Sequence, residues 1–307
     1  MQAASESEAA IRRTISTDSF PALDHWISQD KQLVLRDSYH PGHISDLYVT
    51  LPTRDGTRHA YVAPKIGDSL GFGHHLAFFH PRLPEVSLRP DGTDAHFCPP
   101  EPFIRRMWAG GRMEWHRPVR VGEDGCSIAT VHSVEKKGFD RGTPMVFVKQ
   151  YIEIKDHAQS PLPNIIEERT HVYLALGTSI RAVRKVDSLP RPTFSLTYTP
   201  SFTTLFRFSA LTFNGHYIHL DRDYAQHSEG YPERLVHGPL TALMLLETLA
   251  FHYPNVRMRS FDYRALNPVV VDRPCILRGA WEDGKKVFLW AEDEQGIVGM
   301  TGKVLCD

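Results

Sequence analysis

The hydrophobic pattern is clearest in the last third of the chain. Residues 240–251 are apolar at nearly every position, a run too long for one strand, and Gly238-Pro239 precedes them with a proline suited to the first helical turn. Strand-like segments follow at residues 257–271, 274–282, 285–292 and 297–305. The pattern predicts a buried helix followed by an antiparallel meander that wraps around it.

A similar order of segments occurs earlier in the chain. Residues 113–121 resemble residues 261–270, because each is a strand-like run that ends in a proline-marked bend. The short stretch 101–109 would then be the helix of this half. Further strand-like runs lie at residues 112–121, 127–136, 145–154 and 165–174. A sheet curled around one helix is the plan of the hot dog fold, so we expect an α+β protein with a double hot dog fold, two antiparallel sheets each wrapped around a central helix.

Chain length and proline content predict the domain boundaries. At 307 residues the chain has reached the size at which a single hydrophobic core stops growing. We expect a degenerate N-terminal hot dog domain at residues 1–187, with a flexible start and a long loop at 82–102. A proline-rich linker at 188–200 would lead to a C-terminal catalytic hot dog domain at 201–307.

Composition and charge exclude two classes of partner. Hydrophobic residues make up 41% of the chain and charged residues 23%, which is sufficient to build a core. The formal net charge of -1 gives no overall field for binding nucleic acid. The apolar run at 240–251 is too short to span a membrane and contains Glu247.

Cysteine usage and the N-terminus bear on the compartment. Cys98, Cys126, Cys275 and Cys306 are widely spaced, with no pairing typical of a zinc or redox motif, so an intracellular, reducing compartment fits. Residues 11–16 are basic and hydroxylated like a mitochondrial presequence, but two glutamates lie upstream. Matrix targeting and a cytoplasmic location both stay open.

Residues 206–221 and 235–240 carry the candidate chemistry. The first segment predicts a short helix that ends near Asn214, with His219 in the turn after it, and the second begins the buried helix at Gly238. The Gly238 amide is then an unpaired donor at the positive end of the helix dipole. His219 can both take and return a proton, whereas Asn214 can only hold a water or hydroxyl. Chemistry alpha to a thioester carbonyl requires these three groups.

These segments resemble the signature of the MaoC-like, (R)-specific hydratase/dehydratase superfamily, which has Asp, Asn-Pro, His and Asp in a short run and then His-Gly at the central helix. His219 and Asp221 match the last His-x-Asp, and His237-Gly238 match the His-Gly. The family's catalytic aspartate falls on Asn214, so the proton transfers are assigned to His219. Residues 208–219, 99–103, 105–111 and 117–122 are similar to fungal mitochondrial type 2 3-hydroxyacyl-thioester dehydratases and bacterial mesaconyl-CoA hydratases, over roughly residues 42–304.

The resemblance implies reversible dehydration of a (3R)-3-hydroxyacyl thioester, carried on acyl carrier protein or coenzyme A, in fatty acid metabolism. It implies no metal or redox cofactor. The catalytic residues would be Asn214, His219 and Gly238, and the substrate-binding residues His216, Asp221 and His237. Asp221 could equally orient His219 or cap the following turn. Residues 43–48 lack the Asn-to-His run, so one site per chain is expected, in a monomer or a homodimer.

Two alternatives to the dehydratase remain at this point. Hot dog hydrolases use a carboxylate on the central helix, which makes Glu247 the candidate base of an acyl-thioester hydrolase. A non-enzymatic acyl binder would keep the fold without turnover.

No spacing typical of a metal site is present among His74, His75, His80 and Cys98. Arg105 and Arg106 could hold a coenzyme phosphate or face water.

Overall fold

A computed structural model describes residues 20–175 and 182–307 of the chain. The presequence-like residues 11–16 lie outside the described part. Ten strands in the described residues pair antiparallel in one continuous sheet, in the order β1-β3-β4-β5-β2-β7-β10-β9-β8-β6. The strands are β1 Gln32–Ser38, β2 Phe103–Trp115, β3 Asp124–Lys137, β4 Met145–Lys155, β5 Ile165–Ala175, β6 Phe194–Tyr198, β7 Met258–Ala265, β8 Cys275–Trp281, β9 Lys286–Glu292 and β10 Val298–Cys306.

The helices flank or fill this sheet. They are α1 Pro21–Ser28, α2 Pro41–Tyr48, α3 Phe202–Leu211, α4 Tyr217–Leu220 and α5 Gly238–His252. No helix in residues 20–175 and 182–307 is long and apolar enough to cross a membrane.

The predicted central helix of the C-terminal half is confirmed as α5. Pro239 stands in its first turn, and every residue from 240 to 249 is buried. A helix that is apolar all round must be covered on all sides, and strands β6, β8 and β9 pack against it. The four predicted strands after it are confirmed as β7 to β10.

The helix predicted at residues 101–109 is wrong. These residues begin β2, which pairs with β5 on one side and with β7 on the other. Hydrogen bonding of residues 103–108 to β5 outweighs the local preference of a short segment for a helix. The α-helices of the first half are α1 and α2, and α2 is shorter than α5, with Ile44 and Leu47 fully buried.

Part of the predicted linker belongs to the sheet. Residues 194–198 form β6, which pairs with β8 and is therefore an edge strand of the C-terminal half. Its side chains alternate between buried and exposed, the pattern of a strand with one face on the core. The correction applies to these residues, and the domain boundaries themselves stay a prediction.

The two halves share a hydrophobic core and are joined by ion pairs to the buried carboxylates of Glu247 and Glu229. The main core cluster includes Leu47 and Ile152 of the first half together with Leu243 and Phe261 of the second. Glu247, on the inner face of α5, is 2% exposed.

Glu247 is fully engaged by the first half. It accepts hydrogen bonds from Thr53 Oγ1 at 2.7 Å, from Arg54 Nε and Nη2 at 2.8 and 3.0 Å, and from His74 Nε2 at 2.7 Å. Burial alone would raise the pKa of Glu247, but Arg54 and His74 hold that pKa well below its ordinary value. The carboxylate is thus ionised and locks α5 to the first half.

Replacing Glu247 by alanine should destabilise the fold. Removing one partner of a buried ion pair leaves the other charge uncompensated, and we expect the free energy of unfolding to fall by about 3 to 5 kcal/mol. Urea unfolding monitored by circular dichroism measures the change. Glu135→Ala, which removes an exposed ion pair with Lys137, is the control and should leave the midpoint almost unchanged. Equal midpoints for the two variants would contradict the assignment of Glu247.

Candidate active site

A cavity of about 910 Å³ lies between the two halves and is lined by both. This is the size range of small-molecule sites in proteins. The second half contributes Asn214, His216, His219, His237 and Gly238 to its wall. The cavity therefore brings together five of the six predicted site residues.

His219 lies in α4 and is held from behind. Its Nδ1 donates to the carbonyl oxygen of Leu235 at 2.8 Å, which leaves the lone pair of Nε2 unblocked. Burial lowers the pKa of His219 to about 4; the Leu235 carbonyl opposes this shift, and the charge of Arg106 adds to it. The ring is consequently neutral at ordinary pH and able to accept a proton.

Two further histidines pack around His219. The His237 ring stacks on it with 3.6 Å between ring centroids, and His216 meets it edge-on at 5.5 Å. His237 is fixed in turn by Ser209, whose Oγ lies 2.9 Å from His237 Nε2. Burial, followed by the neighbouring histidines, lowers the pKa of His237 well below its ordinary value. Burial and His219 act on His216 in the same direction.

Asn214 follows the helix α3. That helix begins with a capping box between Ser201 and Thr204 and ends at Leu211. Beyond it, the Asn214 N–H donates to Ser209 O at 2.9 Å, and Asn214 Oδ1 accepts the His216 N–H at 3.1 Å. The C-cap of α3 is Thr212, and Asn214, two residues later, lines the cavity while its Oδ1 holds the turn.

The long loop at 82–102 packs against this turn. The Tyr217 N–H donates to Asp91 O at 2.9 Å. A Cβ added to Gly92 would lie 2.2 Å from the Gly215 carbonyl oxygen, and Gly92 has φ +80°. The loop thus holds the turn that carries Asn214, a contact that nothing in the sequence except the loop's length indicated.

Gly238 is the first residue of α5, so its N–H has no partner within the helix. Trp108 of β2 covers its Cα: a Cβ added to Gly238 would lie 2.7 Å from Trp108 Cγ. A larger residue would push this wall of the cavity apart. Sequence reasoning noticed Trp108 only as part of a motif and missed its role beside the helix N-terminus.

The structure does not bring Asp221 into the cavity. It is exposed after the end of α4, and its Oδ1 accepts the Tyr224 N–H at 2.9 Å. The side chain caps the following turn, one of the alternatives left open, while the Leu235 carbonyl orients His219. The prediction of Asp221 as a substrate contact is therefore corrected.

Arg105 and Arg106 of β2 both line the cavity but have different partners. Arg105 is buried and its Nε donates to Glu229 Oε2 at 2.6 Å, so its charge is already paired. Arg106 lies 3.5 Å from Asp94 Oδ2. Glu247, in contrast, is absent from the cavity wall.

The histidines and the cysteine considered as metal ligands have separate hydrogen-bond partners. His74 bonds Glu247, His80 bonds the Leu76 carbonyl, and Cys98 lies beside Arg89. Within residues 20–175 and 182–307, no group of three or more His, Cys, Asp or Glu side chains could hold a metal ion.

The model of the family "hydroxyacyl-thioester dehydratase type 2" matches residues 73–271. A mesaconyl-C(4)-CoA hydratase of Chloroflexus aurantiacus is 36% identical over 233 residues, covering 75% of this chain and 81% of that protein. A mitochondrial hydroxyacyl-thioester dehydratase type 2 of Schizosaccharomyces pombe is 30% identical over 270 residues, covering 79% and 88%. The resemblance derived from the motifs is confirmed.

Solved structures confirm the fold class. A MaoC-like dehydratase from Phytophthora capsici superposes with a TM-score of 0.64 at 14% identity, covering 93% of this chain and 97% of that one. A Mycobacterium tuberculosis protein described as having a double hot dog fold gives a TM-score of 0.53 at 14% identity, covering 94% and 98%. Together with the family match, these findings show that the chain belongs to the hydroxyacyl-thioester dehydratase type 2 family, a family of hydro-lyases with the double hot dog fold.

Proposed function

We propose that this protein catalyses the reversible dehydration of (3R)-3-hydroxyacyl thioesters to trans-2-enoyl thioesters. The observation that carries the proposal is a neutral His219 whose free Nε2 shares a cavity with the Asn214 amide and the Gly238 N–H. The names of the two relatives, a hydratase and a dehydratase of thioesters, support the same reaction class.

In the proposed steps Gly238, His219 and Asn214 each have a role of their own, and the same roles apply in reverse to hydration. The Gly238 N–H donates to the thioester carbonyl oxygen and stabilises the negative charge that develops there. His219 Nε2 removes the C2 proton, and the electron pair of that bond forms the C2–C3 double bond as the C3–O bond breaks. His219 then gives the proton to the departing hydroxyl, which Asn214 holds, and water leaves.

The lowered pKa of His219 suits this double task. A neutral ring is the required base at the start, and the protonated ring is a strong acid once formed. The Leu235 carbonyl stabilises the protonated ring through Nδ1. These steps need only side chains and a backbone amide, so the proposal includes no metal or redox cofactor.

We extend the proposal to carrier and location. The substrate is a coenzyme A or acyl carrier protein thioester, and the chain acts as a monomer or homodimer. The Schizosaccharomyces pombe relative is named mitochondrial, and the mitochondrial matrix is the proposed location, with the cytoplasm as the alternative.

The hydrolase alternative has no support in the geometry. A catalytic carboxylate must reach a water next to the thioester carbon. Both oxygens of Glu247 are occupied by Arg54, Thr53 and His74, and Glu247 is not part of the cavity wall.

His219→Ala should lower hydration of crotonyl-CoA by about 10²- to 10⁴-fold, because it removes the only proton carrier in the proposed steps. Loss of the enoyl absorbance measures the rate, with a separate test for free thiol. His227→Ala, at an exposed position, is the control and should match the wild type. Thiol release that depends on Glu247 would replace the proposal with a hydrolase.

The pH dependence follows from the neutral base. Activity requires unprotonated His219, whose pKa is lowered to about 4. We expect kcat/KM to be flat from about pH 8 to about pH 5 and to fall only below that. Circular dichroism at each pH controls for acid unfolding. A fall centred near the ordinary histidine pKa of about 6.5 would contradict the buried, neutral state.

Asn214→Leu should reduce kcat by about 10²-fold or more, because a site that has lost a positioned donor no longer stabilises the leaving hydroxyl. The same change removes the bond to the His216 N–H, so near-ultraviolet circular dichroism must show that the turn persists. Undiminished turnover by a folded variant would remove Asn214 from the mechanism.

A further inference from the structure

Arg106 is a cavity-lining cation with unused hydrogen-bond donors. Its side chain is 16% exposed, and its one ion pair among the described residues is with Asp94 Oδ2, at 3.5 Å. That distance is too long for a strong charge-assisted hydrogen bond. The guanidinium therefore presents donors to the cavity that the described part of the chain does not fill.

Two other arginines of the cavity wall, Arg105 and Arg169, are paired with glutamates. Arg169 binds Glu167 with both Nε and Nη2 at 2.9 Å. Its partner Glu167 is 1% exposed. A guanidinium is stable in a buried site when it is paired in this way. Among the described residues Arg106 departs from this pattern, so its donors are open to a bound ligand.

His171 supplies a second donor next to Arg106. It is 8% exposed, and Gln150 Nε2 donates to its Nδ1 at 3.4 Å. Burial, with the charges of Arg106 and Arg169, lowers the pKa of His171 well below its ordinary value. A neutral ring that accepts at Nδ1 carries its proton on Nε2. Since His171 lines the cavity, this N–H is available to a ligand.

These donors lie close to the reacting centre. Arg106 lies opposite Tyr173 in the β2–β5 pairing, two residues from the pair of Trp108 and His171, and its charge helps to lower the pKa of His171, His216 and His219. His171 also contacts the Trp108 ring, at 5.2 Å between centroids, and Trp108 covers Gly238. A ligand group bound by Arg106 is therefore part of the acyl group or directly beside it.

The chemistry of the two donors selects a carboxylate. The planar fork of arginine matches a carboxylate or a phosphate. A coenzyme phosphate is separated from the thioester by the long pantetheine arm, so it cannot lie beside His219 while the thioester is at Gly238. A hydrocarbon tail would bury the unused donors of Arg106 and His171 without partners.

We propose that Arg106 and His171 form a carboxylate-binding site, so that the preferred substrate is a thioester whose acyl group carries a free carboxylate a few bonds from the reacting carbons. This inference rests on the proposed function, whose substrate class it specifies. Arg106 is then a specificity-determining residue and takes no part in the proton transfers.

The test compares two enoyl thioesters of equal chain length with the purified full chain. Glutaconyl-CoA ends in a carboxylate where trans-2-pentenoyl-CoA ends in a methyl group. The wild type should hydrate glutaconyl-CoA with the higher kcat/KM. Arg106→Gln should lower the ratio of the two kcat/KM values by about 10- to 100-fold, the range for a lost hydrogen bond to a charged group.

Two matched variants sharpen the result. Arg106→Lys keeps the charge and should retain part of the preference. Lys137→Gln removes another cation of the cavity wall, one that is half-exposed and paired with Glu135, and should leave the ratio unchanged.

The outcomes separate this inference from the proposed function. Hydration of trans-2-pentenoyl-CoA without a preference for glutaconyl-CoA, or a preference that survives Arg106→Gln, overturns the carboxylate site alone. Hydration of neither substrate, with the thiol test negative, overturns the proposed function itself.

Discussion

The pairing of β2 with β7 is the contact on which the site depends. It joins the two halves into one sheet, and at the end where the pairing begins, a Cβ on Gly110 would lie 2.4 Å from the Tyr263 carbonyl oxygen. Only glycine permits strands to approach so closely at this point, where φ is +150°. Because β2 runs from this seam into the first half, the pairing places Trp108 over Gly238 and Arg106 in the cavity opposite His219.

Buried carboxylates in this molecule form structural ion pairs, whereas the histidines of the candidate site are neutral. Glu247 with Arg54, and Glu229 with Arg105, tie separate elements together through buried ion pairs. The histidines of the site are kept neutral instead, mainly by burial. The nearby charge of Arg106 also favours the neutral form of His219. The proposed binding of a carboxylate by Arg106 is therefore compatible with the proposed role of His219 as the base.

Local pattern predicted some elements and failed on others for identifiable reasons. The apolar run at 240–251 left only a buried helix as a solution, and α5 is that helix. Residues 101–109 gave no such constraint, because β2 acquires its partners β5 and β7 from distant parts of the chain. The strand at 194–198 was not predicted, because the prolines around it indicated a linker and only its pairing with β8 makes it a strand.

The predicted site residues also divide into those that local sequence indicated and those that the folded chain placed elsewhere. Asn214, His219 and Gly238 were recognisable because their spacing and the helix start are local properties of the sequence. Asp221 matched a motif yet faces solvent, because α4 ends before it and turns its side chain towards the Tyr224 N–H.

The sequence by itself thus determined the buried helix and the reaction class, and it predicted the three groups to which the proposed function assigns the chemistry; all of these depend on residues near one another along the chain. The tertiary structure alone decided that Glu247 is an anchor, that Arg105 is paired while Arg106 is open to the cavity, and that Trp108 meets Gly238. These are contacts between residues far apart in the chain, and the register of the sheet sets them.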